Sequence, residues 1–127
     1  MTVILVIDDD PGTCQLLTDA LQHQGYSVQT AGDGLAGLRT FEAVHPDFVV
    51  LDADMPLLDG HAVLRTVRDR DGDPVPVLML TAATPLNGAA RAWPDGVDYC
   101  LTKPFTPDEV TKLVNSLVGA WWAENEQ

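Results

Sequence analysis

Four places in the chain carry side chains able to do chemistry together. They are Asp8-Asp9-Asp10, Asp52 with Asp54 two residues on, Thr81, and Lys103. Each lies at the carboxyl end of a short apolar run, the first of them Val3-Ile4-Leu5-Val6-Ile7. If Asp8, Asp9 and Asp52 converge, three ionised carboxylates raise one another's pKa values unless a cation lies among them. A hard divalent ion suits oxygen ligands, and Mg²⁺ (or Mn²⁺) typically takes one or two carboxylates plus phosphate oxygens and water. Such an ion neutralises the acids and screens an incoming phosphoryl group from a nucleophile of like charge. Lys103 adds a mobile positive charge, and the Thr81 hydroxyl can donate to a phosphoryl oxygen. A carboxylate nucleophile, a metal, a lysine and a hydroxyl make a phosphoryl-transfer site. Taken singly, each has a plainer reading: a solvated helix start, which suits Asp10, a strand-ending acid, a turn threonine, a lysine before proline. Their joint placement at strand ends gives them weight.

The elements that must position these residues follow from the apolar pattern. Strands are expected over residues 2–7, 26–30, 48–51, 75–80 and 98–101. The runs are continuous rather than alternating, as in strands covered on both faces of a parallel sheet. Helices fall between them. The first has Asp10 as N-cap, Pro11 at the first helical position, and Leu16, Leu17, Ala20 and Leu21 on one side, with Gly25 stopping it. The second spans 34–44 with Asp33 as cap, and the third spans 61–70 with Val63, Leu64 and Val67 as its stripe. The fourth, within 85–93, is opposed by Pro85, Gly88 and Pro94 and should be short or mobile. The last opens with the capping box Thr106-Pro107-Asp108-Glu109 and has Val110, Leu113, Val114, Leu117 and Val118 on its apolar side.

Five alternations of strand and helix define an α/β doubly wound fold with right-handed crossovers. Its chemistry belongs outside the carboxyl ends of the strands, where strand order reverses. A flavodoxin-like five-stranded parallel sheet in the order 2-1-3-4-5, with five helices, makes the first and third strands neighbours and so gathers Asp8, Asp9 and Asp52.

Composition sets the limits. The 127 residues fit one domain, assigned to 1–120 with 121–127 as the end of the last helix, and 46% hydrophobic residues exclude a disordered chain. No apolar run approaches a membrane span, and Met1-Thr2-Val3-Ile4-Leu5 lacks the features of a secretory signal, so a cytoplasmic protein without membrane contact is expected. Cys14 and Cys100 belong to no CxxC pattern and should be reduced. A formal net charge of −12 repels phosphate backbones, so direct nucleic-acid binding is not expected.

The sequence resembles the receiver domain of two-component response regulators. The likeness covers about residues 4–118 and rests on Ile4-Leu5-Val6-Ile7-Asp8-Asp9-Asp10-Pro11, Asp47-Phe48-Val49-Val50-Leu51-Asp52-Ala53-Asp54-Met55-Pro56, Asp59-Gly60, Leu80-Thr81-Ala82 and Lys103-Pro104-Phe105. It implies that Asp52 is the phosphoacceptor and that Asp9, Asp52 and the main-chain carbonyl of Asp54 ligate the metal, with Asp8 reaching it through water. Thr81 and Lys103 would contact the phosphoryl group, and Lys103-Pro104 would be cis. The implied donor is a phosphohistidine on a sensor histidine kinase or histidine phosphotransfer protein, and the output is a surface change near the fourth and fifth helices read by a downstream protein target. The resemblance also admits a dimer through the fourth helix, fifth strand and fifth helix. No turnover of an external substrate is expected.

Two positions depart from the family pattern. The aromatic that usually stands three residues before the lysine is replaced by Cys100, with Tyr99 one residue earlier and therefore facing the other way, as a core residue. Asp54 is an extra acid beside the phosphoacceptor, either a solvated loop residue or one that alters hydrolysis of the acyl phosphate. Trp121 continues the last helix's apolar spacing, while His23, His45 and His61 fit no ligand spacing and read as surface. Two rival functions are a phosphohydrolase using Asp52-Ala53-Asp54, whose multiple turnover would reveal it, and a receiver that only binds proteins, which would take up no phosphate.

Overall fold

The computed structural model describes residues 2–69, 75–82 and 99–125, with side chains to residue 120. Its elements run β1 (Val3–Ile7), α1 (Pro11–His23), β2 (Ser27–Ala31), α2 (Gly34–Val44), β3 (Phe48–Asp52), α3 (Gly60–Asp69), β4 (Val77–Thr81), β5 (Tyr99–Thr102) and α4 (Pro107–Asn125). The strands form one parallel sheet in the order β2-β1-β3-β4-β5. The expected fourth helix lies outside the described residues, so the last helix of the sequence is α4 here.

Two apolar layers sandwich the sheet. Side chains alternate across each strand, so Leu5, Ile7, Val49, Leu51, Val77 and Met79 meet α2 and α3 through Phe41, Val63, Leu64 and Val67. Ile4, Val6, Val50, Leu78 and Leu80 meet α1 and α4 on the other face, through Leu17, Leu21, Val110, Val114 and Val118. Each such side chain, fully buried, contributes about 1.5–3 kcal/mol. Leu16 departs from the expected apolar side of α1: it stands half exposed while Leu17 and Leu21 are buried.

The helix ends follow their sequence signals. The Asp10 carboxylate accepts from the Gly12 amide, and Asp33 accepts from the Ala36 amide at 2.7 Å. Thr106 and Glu109 exchange reciprocal bonds of 2.9 and 3.1 Å, closing the capping box of α4. After α1, Gly25 takes a φ of 96°, a left-handed value that suits glycine.

Strand limits differ from expectation by a residue or two. Tyr26 is not in β2, because its amide turns back to the Leu21 carbonyl and completes the exit from α1. Val75 and Pro76 precede β4, since proline has no N–H for a ladder. Both β4 and β5 run on to include Thr81 and Thr102, which pair with each other. Asp98 lies outside the described residues.

Gly60 fixes the distance between α3 and the end of β3. A Cβ there would lie 2.5 Å from the Asp52 carbonyl oxygen and 2.8 Å from Ala53 Cα, both backbone atoms that cannot swing aside. The Gly60 amide also bonds the Ala53 carbonyl. The Asp59-Gly60 pair thus has a packing reason, because only glycine lets the helix abut the strand that carries Asp52.

Candidate functional site

Because β1 and β3 are adjacent and end together, their carboxyl ends bring Asp8, Asp9 and Asp52 to one place. One carboxylate oxygen from each lies within 4.8 Å of the others. Asp8 and Asp52 are buried, 2% and 1% exposed, whereas Asp9 is open to solvent. Lys103 reaches in from beyond β5 and sets Nζ 2.9 Å from Asp52 Oδ1. The Asp54 amide donates to the same oxygen at 3.0 Å. A cleft of about 320 Å³ is lined by Asp8, Asp9, Asp10, Asp52, Asp54 and Lys103 among others. A larger groove of about 570 Å³ between α1 and β2 shares Asp8 and Asp9 but includes neither Asp52 nor Lys103.

The charges settle unequally. Burial would lift Asp52, but the hydrogen bonds from Lys103 and from the Asp54 amide, with the lysine's charge, outweigh it and hold the carboxyl below its ordinary value. Asp8 is pushed up to about 6, by burial first and by the Asp52 charge, against a hydrogen bond from the Asp10 amide. Partial desolvation and the Asp52 carboxylate raise Asp9 as well. For Lys103, burial disfavours the ammonium, yet Asp52, Asp8 and Asp54 together raise its pKa. Of the three acids, Asp52 is therefore the one whose ionised form the site favours, and it is the one paired with the lysine.

Among the described residues, one buried atom in the cluster has no hydrogen-bond partner, Oδ2 of Asp8. A buried acceptor left unpaired is costly, and here it stands among two further carboxylates. An all-oxygen, all-anionic donor set with an orphaned lone pair fits a hard divalent cation.

Thr81 closes β4, buried at 1% exposure, with its carbonyl accepting from the Lys103 amide at 2.8 Å. It sits one step beyond Leu80, the register partner of Asp52, rather than in the lining of the acidic cleft. The Lys103-Pro104 peptide is cis. Neither cysteine forms a disulfide, and the Cys14 thiol donates to the Asp8 carbonyl.

Tyr99 requires a correction. It is 43% exposed rather than core, while Cys100 is buried beside its register partner Met79. The two residues do face opposite ways: Cys100 packs into the α2–α3 layer, whereas Tyr99, at the first position of the edge strand β5, stays exposed although Leu101 on its own side is partly buried. His23 and His45 are exposed and His61 is half-buried. The Trp121 side chain lies outside those described.

One contact has no signature in the sequence. The Ala82 amide, the first beyond β4, donates to Asp54 Oδ2 at 2.8 Å. A backbone donor is the same in every residue but proline, so only the fold reveals that Asp54 has a partner.

Comparison with known proteins agrees with this geometry. A family model described as the response regulator receiver domain matches residues 4–115. The chain is 38% identical over 120 residues to the "DNA-binding dual master transcriptional regulator RpaA" of Synechocystis, a match covering 93% of this chain and 49% of the relative. It is 36% identical to the "DNA-binding response regulator MtrA" of Mycolicibacterium smegmatis, over 89% of this chain and 49% of that one. It thus spans about half the length of these curated relatives. Among solved structures, a Francisella response regulator receiver domain superposes with a TM-score of 0.86 at 31% identity, covering 94% of this chain and 98% of that one. The Vibrio cholerae chemotaxis protein CheY4 superposes with a TM-score of 0.81 at 29% identity, over 91% and 98%.

Proposed function

The chain belongs to the response regulator receiver domain family, and on that premise we propose that Asp52 accepts a phosphoryl group from a phosphohistidine donor. The observation that carries this reading is the pairing of Lys103 Nζ with a buried Asp52 carboxylate at 2.9 Å, within a cluster of acids. The lysine and the Asp54 amide hold Oδ1, which fixes the carboxylate's orientation and keeps it ionised. Attack by an Asp52 oxygen forms the new bond to phosphorus as the bond to the donor imidazole nitrogen breaks. The nitrogen keeps that electron pair, and the ionised acid has no proton to lose. Lys103 then stands beside the transferred group, where its charge offsets that of the phosphoryl oxygens. Thr81 supplies a hydroxyl donor once the end of β4 moves inward.

Asp8, Asp9, Asp52 and the main-chain carbonyl of Asp54 would hold Mg²⁺ or Mn²⁺. When bound, the ion supplies positive charge between the acids and the phosphoryl oxygens.

Receiver domains are signalling domains, and a change of charge at Asp52 can bias an existing equilibrium of the surface around Thr81 and β5. The partners are then a sensor histidine kinase or phosphotransfer protein upstream and a protein target downstream. DNA binding is named for relatives about twice as long. The −12 charge of this chain supports no direct contact with nucleic acid by this portion. No helix among the described residues is long and apolar enough to cross a membrane. A cytoplasmic location fits a phosphohistidine donor.

The test is incubation of the protein with Mg²⁺ and acetyl phosphate, followed by intact mass. The expected result is a gain of one phosphoryl group by the native chain and none by Asp52→Asn. No gain with either metal and any small donor would reject the reading.

A further inference from the structure

We propose that the Asp54 carboxylate is a resident anion, occupying the Ala82 amide until a phosphoryl group on Asp52 displaces it. The inference rests on Asp52 being the phosphoacceptor. Asp54 touches both sides of the cleft. Its own amide donates to Asp52 Oδ1 at 3.0 Å, and its side-chain Oδ2 accepts from the Ala82 amide at 2.8 Å. Ala82 follows Thr81 directly, so the Thr81 hydroxyl and the Ala82 amide are consecutive donors at the end of β4. Lys103 is tied to the same strand end through its amide and the Thr81 carbonyl. In the resting chain, an anion from the β3–α3 loop therefore already holds one of the donors at this end of the sheet.

A phosphoryl group on Asp52 brings three strong acceptor oxygens and close to two negative charges into that cleft. Two effects then act in the same direction. Like charges a few ångströms apart repel, and a charged phosphoryl oxygen is as good an acceptor for the amide as the carboxylate it replaces. Asp54 has to release Ala82 for the end of β4 to close on the new group. Its side chain is a positioning residue: it delays acceptance and holds the β4 end in its resting arrangement.

With acetyl phosphate as donor, the bond from phosphorus to the acetyl oxygen breaks and its electron pair leaves with acetate, while an Asp52 oxygen forms the new bond to phosphorus. The rate of this step is measured by intact mass at saturating Mg²⁺ for the native chain, Asp54→Ala and Asp54→Asn. The Ala82 amide is followed by nitrogen–proton spectroscopy before any donor is added. Asp54→Ala should accept phosphate roughly fivefold faster, and its Ala82 amide should shift upfield and exchange more quickly. Asp54→Asn keeps an acceptor oxygen without the charge, so its Ala82 amide should stay near the native position while its rate falls between the other two. Equal or slower acceptance by Asp54→Ala, with the native chain still taking phosphate, overturns the inference alone, as does an unmoved Ala82 amide. Failure of all three proteins to take phosphate removes the phosphoacceptor reading, and the inference with it.

Discussion

Lys103 Nζ and Asp52 Oδ1 lie 2.9 Å apart, and the acid of the pair is almost wholly buried while the lysine is about one-third exposed. The lysine therefore keeps contact with water, and its bond and that of the Asp54 amide help hold Asp52 ionised against its burial.

Among the described residues, replacing Lys103 by Met leaves Asp52 with the Asp54 amide as its donor. Without metal, at about pH 7, the variant should lose roughly 1–2 kcal/mol of stability, a value reduced for the lysine's exposure. Phosphate acceptance should fall by about tenfold or more. Urea melts and mass-resolved time courses measure the two effects. A variant as fast as the native chain would remove Lys103 from the chemistry.

Asp8 makes stability depend on pH and on metal. Its folded value of about 6 exceeds the ordinary 3.8, so between these values the folded chain keeps a proton that the unfolded chain has released. Stability should therefore fall as pH rises through that window and stay low above it, by at most about 3 kcal/mol. Asp9 acts in the same direction, whereas Asp52, being lowered, loses its contribution only as pH falls below the ordinary carboxylate value. The urea midpoint without metal should decline from about pH 4.5 to pH 7, and Mg²⁺ should restore it most at the higher pH. Asp8→Asn should flatten the decline. An unchanged slope in that variant would show that another group causes it.

Gly60→Ala should cost about 1–3 kcal/mol or more, because its Cβ would meet the Asp52 carbonyl at 2.5 Å and neither backbone segment can yield easily. Thermal melts measure the cost. The expected secondary effect is slower phosphate acceptance through displacement of the β3 end. Native stability in this variant would show that the β3–α3 junction is looser than described.

Much of this was legible in the sequence. Val3-Ile4-Leu5-Val6-Ile7 is apolar without alternation because β1 is covered by helices on both faces, and the same holds for β3 and β4. The caps at Asp10, Asp33 and Thr106 mark their helices because each side chain satisfies a local backbone donor. The gathering of Asp8, Asp9 and Asp52 followed from the acids' places at strand ends together with the strand order of the fold that the family resemblance implies. Tyr99 was misplaced because the period of a strand fixes which residues share a face, not how far each position on that face is covered. Leu16 shows the same for a helix, since it borders the buried stripe without entering it. The partner of Asp54 was not legible, because it is a main-chain amide 28 residues away.

Reductive trapping tests the central claim most directly. After incubation with Mg²⁺ and acetyl phosphate, borohydride converts an aspartyl phosphate to homoserine, and peptide sequencing by mass reads its position. The account predicts homoserine at position 52 and nowhere else in the chain. Homoserine in place of Asp8, Asp9 or Asp54, or unaltered aspartate at position 52 in phosphorylated protein, would contradict it.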